Sequence, residues 1–190
     1  MNQSVEIELK AMLTKDEFER LLRYFERENT CPIVQRNTYY DTPNQMLKMH
    51  RAALRLRNLA ERSEWTIKQA QSNVASLELN QMQHFAYQTV PDMPDIREQT
   101  LIDFLQKHQI ALNQLRPTLT LQTERWIIQC DCGEFCLDRT TYFNITDYEI
   151  ELETTQLEQA QAAFQTLLAQ HQIPYRHADK KIARAFKSQL

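Results

Sequence analysis

The sequence predicts an α+β fold: a sheet closed, or nearly closed, into a barrel and covered by α-helices. Two observations carry this expectation. Apolar and polar residues alternate through most of the chain, and the segments in between carry apolar stripes at helical spacing. A length of 190 residues suits a single domain, here residues 1–190, and no stretch has the composition of a linker.

In chain order, Val5 to Lys10 alternates strictly and reads as the first strand. A helix follows, because Thr14 and Glu17 stand at capping-box spacing with Phe18, Leu21, Leu22 and Phe25 forming one apolar stripe behind them. Period two returns at Ala53 to Leu59, Trp65 to Gln69, Ser76 to Asn80 and Phe85 to Val90. Asp95 and Glu98 stand at capping-box spacing ahead of a second helix bearing Leu101, Phe104 and Leu105. The last strands are Thr118 to Gln129, Glu134 to Arg139 and Tyr148 to Glu153. Thr155 and Glu158 then open a third helix with Phe164, Leu167 and Leu168, and a short fourth runs from Asp179 to Lys187. These stripes read as core-facing, since amphipathic helices in small domains cover a sheet.

Composition excludes several classes of function. With 22 Lys and Arg against 25 Asp and Glu, the net charge of −3 leaves no general basic footprint for nucleic acid. No apolar run approaches the roughly 18 to 20 residues that span a bilayer, and Met1 to Ser4 leads straight into an alternating segment, so a cytoplasmic protein without a membrane partner is expected. Gly133 is the only glycine, so no glycine-rich loop is present to cradle a phosphate, and any phosphate must be held by side chains. Few turns then need a positive φ, and hairpins are expected to use longer loops or Asn and Asp. Cys130, Cys132 and Cys136 cluster while Cys31 stands apart, which reads as reduced thiols along a hairpin rather than a zinc site or a disulfide framework.

The polar sides of the strands are unusual in being charged at successive positions. Glu6, Glu8 and Lys10 share one face of their strand and Val5, Ile7 and Leu9 the other; Arg55 and Arg57 align likewise, as do Glu149, Glu151 and Glu153, and Lys68 and Glu78 add single charges. Alternation alone fits a sandwich with a solvated charged exterior as well as a barrel with a charged lumen. The helices favour the barrel, because their stripes need the apolar side of the sheet and leave the charged side to a lumen. Such a lumen is costly unless opposite charges and bound ions compensate, so it implies ligands. Carboxylates without His or Cys neighbours suit hard ions such as Mg²⁺ or Mn²⁺, while arginine pairs and lysines suit phosphate oxygens. Together they are what phosphoanhydride chemistry requires. No Ser-His-Asp or Cys-His arrangement is legible; Asp41 reads as a turn acceptor, Tyr39 and Tyr40 as packing residues, and His171 and His177 as surface or cap residues.

The ordered motifs resemble the CYTH, or triphosphate tunnel, family. Glu6-Ile7-Glu8-Leu9-Lys10 is similar to its E-x-E-x-K signature, Tyr39 to Pro43 to its Y-[YF]-D-T segment, and Leu54 to Arg57 to its L-R-x-R strand. Thr66 to Lys68, Thr123 to Arg125, Leu137 to Arg139, Tyr148 to Glu151 and Lys180 to Ala185 follow in the family's order, and the resemblance runs from Glu6 to Arg184. It is strongest to a small bacterial branch of YjbK-type proteins, in Tyr148 to Glu153 and His171 to His177.

The resemblance implies an eight-stranded antiparallel β-barrel tunnel that binds a triphosphate with one or two divalent metals, Mg²⁺ or Mn²⁺. It implies Glu6, Glu8, Glu78, Asp138, Glu149 and Glu151 as metal-side carboxylates, and Lys10, Arg55, Arg57, Lys68, Arg125, Lys181 and Arg184 as phosphate-binding cations. Lys10, Glu6 and Glu8 are the implied catalytic set, with Lys10 a phosphate binder unless neighbouring cations depress its pKa enough to make it a base. The expected activity is hydrolysis of a small-molecule polyphosphate, inorganic tripolyphosphate first, by a monomer or homodimer. An adenylate cyclase of the related class IV type and a non-catalytic polyphosphate- or nucleotide-binding protein are the alternatives.

Overall fold

The computed structural model describes residues 3–188; Met1 and Asn2, part of the start expected to lead into the first strand, lie outside the described residues, as do Gln189 and Leu190. Its elements are β1 Gln3–Leu13, α1 Lys15–Tyr24, β2 Ile33–Asp41, α2 Met46–Met49, β3 Ala52–Asn58, β4 Ser63–Ala70, β5 Ala75–Gln83, α3 Gln99–Lys107, β6 Arg116–Cys130, β7 Gly133–Tyr142, β8 Ile145–Thr154, α4 Leu157–Gln170 and α5 Lys181–Lys187. Pairings are antiparallel, and the order β1-β5-β4-β3-β2-β6-β7-β8 closes as a barrel, the expected eight-stranded fold. No helix among the described residues is long and apolar enough to cross a membrane.

The chain forms two compact units. The first comprises Gln35–Leu121 together with the residues up to Val5. Leu54, Leu56, Trp65, Ile67 and Leu79 point to one side of β3–β5 and are buried with Leu47 of α2 and Leu101, Phe104 and Leu105 of α3. Each such side chain contributes about 1.5–3 kcal/mol over remaining exposed, which is what holds these helices on the sheet. Phe85 to Val90, expected as a strand, is a loop. Asn58 supplies the reason: its amide donates to the Tyr87 carbonyl at 2.7 Å and accepts from the Tyr87 N–H at 3.1 Å, satisfying the groups a ladder would otherwise claim. The strand missed by alternation is β2, where Gln35, Asn37, Thr38 and Tyr40 are all buried whichever face they take. The short helix α2 was also not expected. Asp41 nucleates it, its carboxylate accepting from the N–H groups of Thr42, Leu47 and Lys48 at 2.7, 2.9 and 3.2 Å, in the acceptor role its sequence context gave it.

The second unit comprises Glu6–Val34 and Gln122 onward. Phe18 and Leu21 of α1 and Phe164, Leu167 and Leu168 of α4 bury against Phe135 and Leu137 of β7 and Ile150 and Leu152 of β8. The capping box of α1 is formed as expected: Thr14 Oγ1 accepts from the Glu17 N–H at 3.2 Å, and the Glu17 carboxylate from the Thr14 N–H at 2.7 Å. The other two boxes are corrected by the structure. In α3 the N-cap is Glu98, with no side-chain cap, while Asp95 is engaged by Arg97 at 2.9 and 3.0 Å. In α4 the N-cap is Gln156, whose N–H donates to Thr154 Oγ1 at 2.8 Å, so the Thr155–Glu158 box does not form.

The hairpins follow expectation, with four-residue loops at 59–62 and 71–74 and with Asp131 and Asn144 in the two-residue loops, but positive φ is commoner than expected. The described non-glycine residues with positive φ are Glu26, Gln45, Arg51, Gln109, Phe143 and Gln172, none of them Asn or Asp. Gly133, at φ +144°, follows the β6–β7 turn, and a Cβ there would stand 2.0 Å from the Glu153 carbonyl oxygen; the glycine is set by close approach of β8. All four cysteines are free thiols, with the Cys130 and Cys132 sulfurs 3.5 Å apart at that turn.

Candidate active site

In the second unit, the face of the sheet opposite α1 and α4 carries a grid of charge. Cross-strand partners share a face, so the register can be read as rows. One row is Arg125–Asp138–Glu149, the next sets Cys136, Glu151 and Lys10 side by side, and a third sets Glu134, Glu153 and Glu8. Glu6 has the parity of Glu8 and Lys10 on β1. Lys181 and Arg184, one turn apart on α5, both reach carboxylates of this grid and share Glu149, while Lys180 is the exposed N-cap of that helix.

Arg125 organises the carboxylates. Its Nε and Nη2 donate to Asp138 at 2.8 and 2.7 Å, the planar fork that suits a guanidinium, while Nη1 donates to Glu153 at 2.6 Å and Nη2 also contacts Glu151. Lys181 Nζ lies 2.8 Å from Asp138 Oδ2 and 3.0 Å from Glu151 Oε1, and contacts Glu149 Oε1. Arg184 donates through Nε to Asp147 at 2.7 Å, and its Nη1 lies 2.7 Å from Glu149. Lys10 donates to Glu8 at 2.7 Å along its own strand.

Burial dominates the electrostatics. It would raise the Asp138 carboxyl, but the Arg125 guanidinium and Lys181 ammonium outweigh it and hold that group well below the usual carboxylate range. Burial pushes Glu151 up to about 7, against Arg125 and with Asp138 and Glu8 adding to the rise. Burial likewise draws Lys181 down to about 7 against the pull of Asp138. Six carboxylates, Glu8, Asp138, Asp147, Glu149, Glu151 and Glu153, share four cations, Lys10, Arg125, Lys181 and Arg184, so this network holds more negative charge than its own cations offset.

A divalent cation fits that surplus. Asp138, Glu149 and Glu151 are buried and each offers a carboxylate oxygen, these atoms lying within 4.8 Å of one another. Both Glu149 oxygens stand in ion-pair range of a cation, yet neither accepts a hydrogen bond of good angle, so they are buried acceptors a metal ion would satisfy. The triad's three carboxylates are the oxygen set preferred by Mg²⁺ or Mn²⁺, and the Cys136 thiol beside Glu151 is pushed up by burial and so stays protonated. Glu6, Glu8 and Glu78, also expected on the metal side, are outside this triad.

The remaining candidates belong to the first unit, on the face of β3–β5 opposite its apolar core. Arg55 pairs with Thr66 and Arg57 with Glu64 in register, and Arg57 Nε donates to Asn37 Oδ1 at 3.2 Å. Lys68 and Glu78 are cross-strand partners, with Nζ 3.4 Å from the carboxylate.

Three residues of the second-unit network were not singled out as site residues by the sequence. Glu153 shares the face of Glu149 and Glu151 without standing among the candidate site residues, yet it accepts from Arg125. Asp147 holds Arg184, and Tyr142 donates its hydroxyl to the same carboxylate at 2.5 Å. Asp147 has the parity of Glu149, Glu151 and Glu153 on β8, a signal that was available; nothing in the sequence marks Tyr142.

A closed barrel of eight antiparallel strands with arginine, lysine and carboxylate side chains on the face away from the helices defines a CYTH-type domain. The chain belongs to that family, the CYTH domain matching residues 4–186. It is 34% identical over 191 residues to YjbK of Bacillus subtilis (strain 168), provisionally named a triphosphatase, covering 98% of this chain and 97% of that one. Among solved structures, a provisionally named adenylate cyclase from Bacillus halodurans is 32% identical with a TM-score of 0.84, covering 98% of this chain and 100% of that one. The Hippeastrum protein HpAC1, a provisionally named adenylyl cyclase reported to have a dominant triphosphatase activity, shares the fold at a TM-score of 0.79 and 20% identity over 98% of this chain and 96% of that one.

Proposed function

We propose that this protein is a divalent-metal-dependent triphosphatase that hydrolyses a linear triphosphate, inorganic tripolyphosphate first. The observation that carries the reading is the buried Asp138–Glu149–Glu151 triad, interlaced with Arg125 and Lys181 rather than balanced by an apolar surround. Asp138, Glu149 and Glu151 would hold Mg²⁺ or Mn²⁺, with Glu6 and Glu8 on the neighbouring strand as further carboxylates. A bound ion of this kind supplies Lewis-acid polarisation of phosphate oxygens and an activated water.

The chain's own residues then bind and orient. Arg125, Lys181 and Arg184 of the second unit neutralise the polyphosphate, the arginines by paired N–H donors and the lysine as a point charge, and the first unit's Arg55, Arg57 and Lys68 offer cations of the same kind. Lys10 joins them as a phosphate ligand, and Glu8 fixes its ammonium. Developing charge on the phosphoryl oxygens is met by cations already in place, which is the main lever in phosphoryl transfer.

The relatives' names support this reading for the family and also carry a cyclase label, so the test must separate the two. Purified protein is supplied with tripolyphosphate, thiamine triphosphate, ATP and GTP, each with Mg²⁺ or Mn²⁺, and scored for orthophosphate, pyrophosphate and cyclic nucleotide. Metal-dependent release of orthophosphate from tripolyphosphate is the expected result. Cyclic AMP with pyrophosphate would replace the hydrolase by a cyclase, and tight binding without turnover would replace it by a polyphosphate- or nucleotide-binding protein.

A further inference from the structure

We propose that Lys181 is an internal counter-cation: its ammonium occupies the Asp138–Glu149–Glu151 triad while no divalent ion is bound, withdraws when one enters, and is thereby released to the substrate's phosphates. The proposal rests on the triphosphatase reading and adds an order to it, cation before polyphosphate.

The contacts single out this lysine. Lys181 Nζ touches all three carboxylates of the triad, at 2.8 Å for Asp138, 3.0 Å for Glu151 and in direct contact with Glu149. Two cations cannot both sit against the same three carboxylates without strong mutual repulsion in a buried setting, so lysine and metal are alternative occupants. Arg125, the other buried cation, is committed by a two-pronged bond to Asp138 and by Glu153 beyond the triad, and stays.

The scaffold allows the exchange. Lys181 is the first residue of α5, and its ammonium ends a four-carbon stem with freely rotating bonds. The helix itself is fixed separately, through Arg184. Its Nε donates to Asp147 at 2.7 Å and Nη1 to the Asp179 carbonyl at 2.5 Å, while Tyr142 holds the same Asp147 carboxylate at 2.5 Å. Rotation of one side chain therefore vacates the triad while α5 remains docked. Arg184 also lies 2.7 Å from Glu149, so that carboxylate keeps a cationic neighbour throughout.

The test reads the amine directly. The full-length protein is labelled with a small amine-reactive reagent, and modification of Lys181 is followed by mass spectrometry, with exposed Lys15 and Lys187 as internal references. With rates followed across pH so that access is separated from amine ionisation, access to Lys181 is expected to be low without metal, several-fold higher with Mg²⁺ alone, and low again with Mg²⁺ plus non-hydrolysable imidotriphosphate. Labelling that Mg²⁺ leaves unchanged or slows would overturn the proposal. As a second measurement, Lys181→Met should bind Mn²⁺ several-fold more tightly by calorimetry and imidotriphosphate more weakly; Mn²⁺ affinity equal to or below that of the wild type would also overturn it. Neither readout uses turnover: orthophosphate release without a labelling response rejects the counter-cation alone, and a labelling response without release rejects the hydrolase alone.

Discussion

Replacing Arg125 by Met removes the donor of four contacts in one step: both oxygens of Asp138, Glu153, and Glu151. The side chain is 10% exposed and its partner Asp138 fully buried, so water cannot take over the vacated positions. Removing one member of a buried ion pair costs about 3–5 kcal/mol, because the partner stays behind uncompensated. Lys181 still faces Asp138 and Glu151, which places the expected loss near the lower bound, about 3 kcal/mol or roughly a hundredfold in the folding equilibrium. The assay is urea unfolding by far-UV circular dichroism in chelator-treated buffer, with the midpoint falling and the slope unchanged. Two companion results follow from the same account. Mg²⁺ should restore more stability to the variant than to the wild type, since an ion that binds the folded state stabilises it by mass action. Arg125→Lys should recover part of the loss, regaining the charge but not the fork. A loss under about 1 kcal/mol, the scale of an exposed pair, would refute the view that these carboxylates are desolvated and held by Arg125.

Other perturbations test the frame around the site. Gly133→Ala should cost on the order of 3 kcal/mol in a thermal melt, combining backbone strain at positive φ with a Cβ driven into the Glu153 carbonyl. Thr14→Ala should lose about 1 kcal/mol with its cap, whereas Thr155→Ala, at the box that does not form, should stay within about 0.5 kcal/mol. His108, whose ring stands 4.2 Å from that of His50 and 4.5 Å from that of Phe104, is held below its ordinary value of 6.5 by burial, with His50 and Lys107 adding to the effect. Protonation therefore favours the unfolded chain. The stability this group contributes is full above pH 6.5 and is lost as pH falls below it toward the depressed value, so His108→Gln should flatten that part of the stability–pH curve.

Legibility followed the physics of each element. Strands with one buried and one charged face announced themselves, as in β1, β3 and β8, because burial on one side enforces period two. The same rule hid β2, whose Gln35, Asn37, Thr38 and Tyr40 are buried alike, and it mistook Phe85 to Val90 for a strand because alternation does not reveal that Asn58 has already claimed the Tyr87 backbone. Helix stripes were legible and helix starts less so: the Thr14 box formed, while Asp95 was captured by Arg97, a competitor invisible to spacing. In the site, the carboxylates of β7 and β8 and the cations Arg125, Lys181 and Arg184 were named from motifs, and they meet. What no motif conveyed was the pairing: that Arg125 also takes Glu153, that Lys181 sits in the triad, and that Tyr142 and Asp147 hold the helix bearing it.

One alternation writes both the core and the site, which makes the two inseparable. On β8, Ile150 and Leu152 bury against α1 and α4, while Glu149 and Glu151 between them face Arg125 and Lys181. A slip of one residue in the β7–β8 or β8–β1 register would drive two carboxylates among Phe18, Phe164 and Leu167 and turn two aliphatic side chains toward buried cations. Both halves of that exchange are costly, so the site needs no separate device to fix its geometry. The same reasoning explains the grid's density of charge: a lone buried Asp138 would be untenable, but each added carboxylate shares Arg125 or Lys181 with a neighbour and raises the demand for one more positive charge. Lys181 meets part of that demand, and the remaining deficit is what would draw a divalent ion to the proposed site.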